Sequence, residues 1–183
     1  MITCLFGSSR KDGNSMVALE YITNNIKYNF IDLYNSNIDK VQDNRHNEMS
    51  DNHSDDYEEI INSVIKSDTI IFLTPLYWYS MSASMKLFID RWTETLRNSE
   101  IKDFKKIMSQ KKYFIVIIGG DNPKVKSKPL VNQFKYIFEF MGINNYNFLI
   151  GEGVKPFDIL DDKLFLNEIN QLNVLLKKGD IYD

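Results

Sequence analysis

The sequence has one cysteine, Cys4, and no apolar run near the ~20 residues that a membrane-spanning helix needs. A single cysteine excludes an internal disulfide and a cysteine-bound metal cluster. Its position inside the first apolar run predicts a buried, inert thiol rather than a nucleophile. The net charge is only −3 and no basic stripe is present, so neither nucleic acid nor a membrane is expected as a partner.

The chain also lacks the features of an exported or disordered protein. It enters an apolar strand at once, which leaves no room for a signal peptide and predicts a soluble, cytoplasmic protein. Hydrophobic residues make up 43% and aromatic residues 13% of the chain, which excludes a disordered chain. The length of 183 residues predicts one domain, residues 1–183, with a full-sized core.

Apolar segments with the character of strands alternate with segments of helical period. The predicted strands are Ile2–Phe6, Asn29–Tyr34, Asp68–Thr74, Tyr113–Ile118 and Asn147–Ile150. The predicted helices are Met16–Asn25 with Val17, Tyr21 and Ile22 facing inward, then Tyr57–Lys66, Ala83–Arg97, Pro129–Met141 and Asp161–Lys178. This alternation, with central runs that are apolar throughout, predicts an α/β fold whose five-stranded parallel sheet carries helices on both faces.

A turn of small residues, GSSRKDGNS at positions 7–15, joins the first strand to the first helix. Such a turn exposes backbone N–H groups at a helix N-terminus, and together with Arg10 it suits a phosphate. It is neither a Walker loop nor the three-glycine dinucleotide fingerprint. The alternative is an ordinary strand–helix turn capped by Asn14 or Ser15.

Ligands of an open parallel sheet bind outside the carboxyl ends of the strands, where the strand order reverses. The loops that follow strands one, three and four should therefore meet. These loops are the turn at 7–15, the aromatic loop PLYWYSMS at 75–82 and the glycine loop Gly119-Gly120. Together they predict a pocket for a phosphate attached to a flat aromatic ring. The alternative is that the three adjacent aromatic residues cover the core or a partner subunit.

The turn at 7–15 and the segment that contains the aromatic loop resemble those of a known family. GSSRKDGNS, followed by TPLYWYSMSASMKLFIDRW at 74–92, is similar to the NAD(P)H-dependent FMN reductases of the flavodoxin-like superfamily. The similarity is strongest to the branch of iron–sulfur flavoproteins and small quinone, nitro and azo reductases, and it covers residues 1 to about 120. The segment from Asp39 to Asp55 has no cysteine, so the cluster of the iron–sulfur flavoproteins is absent. The resemblance implies a flavodoxin-like three-layer sandwich with strand order 2-1-3-4-5.

The resemblance also implies a cofactor, a reaction and a set of site residues. The FMN phosphate should meet Ser8, Arg10, Asn14 and Ser15, and the ring should lie against Pro75, Leu76, Tyr77, Trp78, Gly119 and Gly120. FMN would take a hydride from NADH or NADPH and pass electrons to a small acceptor with ping-pong kinetics. Candidate acceptors are a quinone, a nitro or azo compound, free flavin or a ferric chelate. Tyr77, Trp78 and Tyr79 should line the substrate side, and no catalytic base is assigned.

Two other functions remain open from the sequence. The first alternative is an FMN-binding electron-transfer protein that does not itself oxidise NAD(P)H. The second is a non-enzymatic member of the fold with an empty pocket. A strongly acidic surface around the flavin would favour the electron carrier, and a charge of −3 spread over the chain argues weakly against it.

The remaining polar and apolar features have simpler interpretations. His46 and His53 lie in a polar loop at 35–56 whose spacing fits no helical metal-ligand pattern, so we expect a loop near the pocket and no metal. Asp90-Arg91 is interpreted as a solvated or interface charge pair, and Lys86 can pair with Asp90 four residues on. The helix at 129–141 carries a second apolar stripe, Tyr136 and Phe140, which predicts a homodimer.

Overall fold

The computed structural model describes residues 1–42, 44 and 53–179. Its strands are β1 (Ile2–Phe6), β2 (Asn29–Asp32), β3 (Thr69–Pro75), β4 (Lys112–Gly119) and β5 (Tyr146–Glu152). They form one sheet of order β2-β1-β3-β4-β5 in which every neighbouring pair is parallel. The predicted fold class and strand order are confirmed.

The helices of the described residues lie between and after the strands. They are α1 (Asn14–Ile22), α2 (Tyr57–Lys66), α3 (Ala83–Asp90), α4 (Trp92–Thr95), α5 (Phe104–Ser109), α6 (Pro123–Lys126), α7 (Lys128–Met141) and α8 (Lys163–Gly179). A 3₁₀ turn, Asp158–Asp161, precedes α8.

Alternate residues of each central strand point to opposite faces of the sheet, and both faces are covered. In β3, Ile70 and Phe72 join a cluster with residues of α2, α3, α5 and α7, whereas Ile71 and Leu73 join a cluster with residues of α1 and α8. Both sets are fully buried, which is why these strands read as continuous apolar runs rather than as an alternation. Cys4 belongs to the second cluster, and burial raises the pKa of its thiol, which leaves the thiol unreactive.

Several predicted boundaries and one predicted orientation need correction. The helix from Ala83 does not run unbroken to Arg97, because it ends at Asp90 and a separate turn, α4, follows. The short helices α5 and α6 were not predicted, since six and four residues are too few to show a helical period. Tyr21, expected to face inward, is 39% exposed, while Val17 and Ile22 are buried as predicted.

The predicted solvated or interface pair Asp90-Arg91 is wrong. Arg91 is buried, and its guanidinium binds Asp55 and Glu94, each at 2.5 Å, instead of its neighbour in sequence. It also lies over the ring of Tyr57, 4.5 Å from the centroid. Two buried carboxylates therefore share one buried cation, and this network joins the start of α2 to α4. Lys86 and Asp90 form the expected pair on the surface of α3.

Asp55 makes the stability contributed by this network depend on pH. Burial by itself would raise the pKa of Asp55, but hydrogen bonds from the Asp39 N–H, Arg91 and the Tyr57 N–H outweigh it and lower the pKa. A carboxyl whose pKa is lowered on folding stabilises the fold above its ordinary pKa. That contribution is lost as the pH falls through the lowered value.

We expect Arg91→Met to lower the free energy of unfolding by about 3–5 kcal/mol, because it leaves two buried carboxylates without their cation. Urea denaturation at neutral pH measures the change. The control is Lys86→Met, which breaks an exposed pair on the preceding helix and should cost no more than about 0.5 kcal/mol. Equal losses for the two variants would show that the buried network does not hold α2 to α4.

Candidate functional site

The carboxyl ends of the strands surround a cavity of about 230 Å³. Hydrogen bonds continue the sheet beyond its strands at this edge: the Leu76 N–H donates to the Ile118 carbonyl at 2.7 Å, and the Gly153 N–H donates to the Gly119 carbonyl at 2.9 Å. Parallel pairing therefore brings together loops that lie far apart in the chain. All the predicted cofactor-binding residues except Trp78 line the cavity: Ser8, Arg10, Asn14, Ser15, Pro75, Leu76, Tyr77, Gly119 and Gly120.

One wall of the cavity is the turn between β1 and α1. Gly13 occupies the N-cap position of α1, and the Met16 N–H is bonded to the Gly13 carbonyl. The N–H groups of Asn14 and Ser15 precede the first turn of helical hydrogen bonds, so the helix itself offers them no acceptor. Together with the positive end of the helix dipole, they form a site for an anion.

Arg10 adds a full positive charge beside this turn. Its backbone N–H donates to Ser8 Oγ at 3.3 Å, which holds the two residues in a tight loop. Its exposed guanidinium binds Asp12, with donor–acceptor distances of 3.1 and 3.0 Å. The hydrogen bond and the charge of Asp12 raise the pKa of Arg10 above its ordinary value. The guanidinium is thus at the rim of the cavity but is bonded to a neighbouring carboxylate.

Asn14 has a different role from the one its sequence position suggests. Its side-chain amide donates to the Lys155 carbonyl at 2.9 Å, and its Oδ1 accepts from the Ile159 N–H at 3.3 Å. The side chain therefore joins the start of α1 to the segment after β5, and only its backbone N–H is left to meet an anion. Neither Asn14 nor Ser15 caps the helix with its side chain, so the alternative of a side-chain-capped turn is wrong.

The segment after β5 forms a wall that the sequence analysis did not predict. Gly153, Val154 and Pro156 line the cavity next to Gly120. A Cβ on Gly153 would lie 2.7 Å from Asn14 Nδ2, so only glycine allows this close approach. The signal was present, because the carboxyl end of the fifth strand reaches the same edge as the others. The predicted pocket included only the loops after strands one, three and four.

The aromatic loop is a two-residue hairpin. Tyr77 and Ser80 exchange backbone hydrogen bonds of 3.1 and 3.0 Å around Trp78 and Tyr79. Both central residues have positive φ, 47° and 64°, as a type I′ turn requires. Asn-Gly is the usual pair in such a turn, and a bulky side chain there costs about 1–3 kcal/mol. The strain coincides with the rim of the cavity.

Side-chain hydrogen bonds fix this hairpin on both sides. The Tyr77 hydroxyl lies 3.2 Å from Ser9 Oγ in the first turn, and the Tyr79 hydroxyl donates to Asp121 after β4 at 3.0 Å. Trp78 lies at the tip and is 94% exposed. It does not line the cavity, so its predicted place among the cofactor-binding residues does not match this arrangement. The three aromatic residues do not cover the core, because Tyr77 and Tyr79 are also exposed.

The polar loop at 35–56 is described only in part, and His46 lies outside the described residues. The ligand atoms of Asp39, His53 and Asp55 lie within 4.8 Å of one another. Asp55, however, already accepts hydrogen bonds from Arg91 and from two backbone N–H groups. A cation in the form of Arg91 thus already occupies one side of this group. The absence of a metal stays a prediction.

Comparison with known proteins identifies the family. The model of a family described as "Flavodoxin-like fold" matches residues 3–172, and the chain belongs to this family. A Bacillus subtilis (strain 168) protein named "Putative NAD(P)H-dependent FMN-containing oxidoreductase YwqN" is 39% identical over 180 residues, which are 98% of each chain. The FMN-dependent NADH:quinone oxidoreductase 1 of Clostridium acetobutylicum is 25% identical over 81% of this chain and 72% of its own length. The family resemblance stated from the sequence is confirmed.

Solved structures agree with the fold. A structure described as the Trp repressor binding protein from Bacillus subtilis has a TM-score of 0.76 at 35% identity, covering 94% of this chain and 97% of its own. An FMN-dependent NADH-azoreductase from Bacillus anthracis, solved in complex with FMN, has a TM-score of 0.69 at 14% identity over 96% and 99% of the two chains. The second likeness shows the fold alone. None of the helices in residues 1–42, 44 and 53–179 is long and apolar enough to cross a bilayer.

Replacing Trp78 with Asn should raise the free energy of unfolding by about 1 kcal/mol, because Asn tolerates the left-handed conformation and Trp78 gives up no buried contacts. Thermal and urea unfolding without ligands measure the gain. Val174→Asn is the control: it removes an exposed apolar side chain from α8, where Val and Asn have similar helix propensities, and should change stability by less than about 0.5 kcal/mol. A loss of stability in Trp78→Asn would show that the hairpin is not strained.

Proposed function

We propose that this protein is an FMN-dependent oxidoreductase that oxidises NADH or NADPH and reduces a small acceptor. The observation that carries the proposal is that an anion-binding turn, apolar side chains and two glycines meet in one cavity. The names of the two relatives given above state the same cofactor and the same class of reductant. Both relatives are similar to this chain over most of its length.

The residues of the cavity fit FMN. A phosphate matches the N–H groups at the start of α1, the hydroxyls of Ser8 and Ser15, and the guanidinium of Arg10. A flat ring matches the opposite end, between the segment Pro75–Tyr77 and Gly119-Gly120. Side chains at these glycines would contact the cavity walls, because a Cβ on Gly120 would lie 2.8 Å from Val154 and one on Gly119 would lie 3.1 Å from Leu76.

FMN, when bound, supplies the redox chemistry by taking a hydride at N5 from the nicotinamide and passing the electrons on. The protein binds FMN and its substrates and orients them toward one another. The Leu76 N–H is already bonded to the Ile118 carbonyl, whereas the Tyr77 N–H is part of the hairpin, so the loop is held rigidly beside the ring site. Tyr77, Trp78 and Tyr79 stand on the open side, where the nicotinamide and then the acceptor would approach. We assign no acid or base to this chain.

We further propose ping-pong kinetics with one shared substrate space. A quinone, a nitro or azo compound, free flavin or a ferric chelate would enter after the oxidised nicotinamide leaves. The strained hairpin supports this proposal, since it presents an exposed indole ring at the rim where flat molecules would stack. A single domain over residues 1–183 and a cytoplasmic location complete the proposal.

Anaerobic mixing tests the reaction directly. We expect purified protein with FMN to lose its yellow absorbance near 450 nm when NADH or NADPH is added and to regain it when an acceptor such as menadione follows. Initial rates measured with both substrates varied should give parallel double-reciprocal lines. Persistent yellow colour under both nicotinamides would identify an electron carrier instead, and a protein that binds no FMN would contradict the whole proposal.

Replacement of Arg10 by Ala should weaken FMN binding about 10- to 100-fold, because a charge-assisted hydrogen bond to phosphate is worth about 1.5–3 kcal/mol. Fluorescence quenching of FMN during titration with apoprotein gives the Kd. Asp12→Ala is the matched control: it frees the guanidinium and should leave binding unchanged or tighter. Riboflavin, which lacks the phosphate, should bind both variants and the parent protein alike. Equal FMN affinity for Arg10→Ala and the parent would exclude Arg10 from the phosphate site.

We also propose a homodimer that covers the exposed face of α7. Tyr136 and Phe140 are 71% and 62% exposed and lie four residues apart on one side of the helix, while Phe134 and Phe138 fill the core from its other side. In sedimentation experiments the parent protein should behave as a dimer, and the double variant Phe140→Glu with Tyr136→Glu should behave as a monomer. Val125→Glu together with Val174→Glu, which places the same two charges on exposed apolar side chains of other helices, serves as the control. A parent protein that sediments as a monomer at every concentration would contradict the proposed dimer.

A further inference from the structure

A second cavity of about 290 Å³ adjoins the first. It lies between the first turn, the segment after β2 and the start of α3. Its walls are apolar and aromatic side chains with serine hydroxyls between them, and include Leu33, Tyr34, Ser36, Ile38, Ala83 and Leu87. Its volume is close to the lower end of the range for small-molecule sites, roughly 300 Å³. This second cavity lies outside the proposed FMN site.

The two cavities share one lining residue among those that the structure describes. Tyr77 lines both, and its hydroxyl lies 3.2 Å from Ser9 Oγ. A molecule bound with one end over the ring site can therefore reach the second cavity by passing over Tyr77 and Ser9. Arg10 and Lys11 come next in this turn, and both have exposed side chains. The path between the cavities is thus bordered by two ion pairs, Arg10 with Asp12 and Lys11 with Asp32.

The walls of the second cavity are fixed before any ligand binds. The Asn37 N–H donates to Asp56 at 2.7 Å and the Asp39 N–H donates to Asp55 at 2.8 Å. These bonds hold residues 36–38 against the start of α2, and Ser36 Oγ donates back to the Asp32 carbonyl at 2.8 Å. The second cavity is therefore a rigid, mostly apolar slot with hydroxyls at its edge. Such a slot suits a flat heterocycle joined to a sugar.

Charge around the slot sets a limit on the ligand. No lysine, arginine or acidic residue is among its described lining residues. Asp32 precedes Leu33 in the chain, and its Oδ2 lies 3.0 Å from Lys11 Nζ. Burial would raise the pKa of Asp32, but hydrogen bonds from Asn35 and Lys11 outweigh it and lower the pKa, so the carboxylate stays charged. A neutral nucleoside matches such a lining, whereas a further phosphate would find no cation among the described residues that line the slot.

We propose that this second cavity binds the adenosine half of the reducing dinucleotide, and that the protein therefore uses NADH in preference to NADPH. The inference rests on the proposed function. The nicotinamide lies over the ring site, the pyrophosphate passes Ser9 next to Arg10 and Lys11, and the adenosine enters the slot beside Leu87. NADPH carries an additional 2′-phosphate on this adenosine, which the slot does not neutralise.

The test uses FMN-loaded protein and a variant that fills the slot. Ala83→Phe changes an exposed residue that lines it, and Leu87→Trp is a second filling variant at an independent position. Lys86→Phe, on the same helix but not among the residues lining the slot, is the control. FMN content and thermal unfolding verify that each variant is folded.

Titration calorimetry with 5′-AMP tests the site without any redox reaction. We expect 5′-AMP to bind the parent and Lys86→Phe proteins and to bind either filling variant at least tenfold more weakly. Adenosine 2′,5′-bisphosphate should bind the parent at least tenfold more weakly than 5′-AMP. Absence of 5′-AMP binding to the parent, equal binding to the filling variants, or displacement of 5′-AMP by menadione would overturn the proposal.

Steady-state kinetics then tests the link to turnover. Each filling variant should raise the KM for NADH at least tenfold with kcat unchanged. Reduced nicotinamide mononucleotide, which lacks the adenosine half, should react equally with the parent and the variants. Equal losses with both reductants would overturn the proposal. A parent protein that oxidises neither reductant would refute the proposed function, while the 5′-AMP titration would still decide whether the slot binds adenosine.

Discussion

Parallel pairing of β1 with both β2 and β3 is the constraint on which the other features depend. It places the carboxyl ends of all five strands at one edge, so every loop that leaves this edge contributes to the same surface. Parallel strands need crossover helices, and these helices cover both faces of the sheet and bury the alternating side chains of β3 and β4. The cavity is thus a product of topology, since its walls come from turns that share no local sequence contact.

The sequence was sufficient for features with a strong periodic signal. Continuous apolar runs such as Ile70–Leu73 identified the strands, and their alternation with helices identified the parallel sheet. The glycines and serines at positions 7–15 and 119–120 marked two walls of the cavity correctly. Apart from the helix that begins at Ala83, element boundaries differed by at most three residues, because helix and strand ends depend on caps and neighbours rather than on period.

Features set by distant contacts were not predictable in the same way. Nothing near Arg91 in the sequence indicates that its guanidinium binds Asp55, because that contact spans the polar loop and exists only after α2 and α3 pack together. The side chain of Asn14 looked like a cap or a phosphate ligand, yet it is bonded to a segment beyond β5. The turn type at Trp78 and Tyr79 was also hidden, since neither residue favours a positive φ.

The contacts of Asn14 with Lys155 and Ile159 have a consequence for the order in which the molecule is assembled. These bonds span 141 and 145 residues, so this wall of the cavity exists only when the residues up to Ile159 have been synthesised and β5 has joined the sheet. Loop closure over such distances is slow and entropically costly compared with local helix formation. A chain synthesised only as far as β4 therefore lacks one wall of the cavity, and a ligand that needs this wall would bind after β5 has joined the sheet.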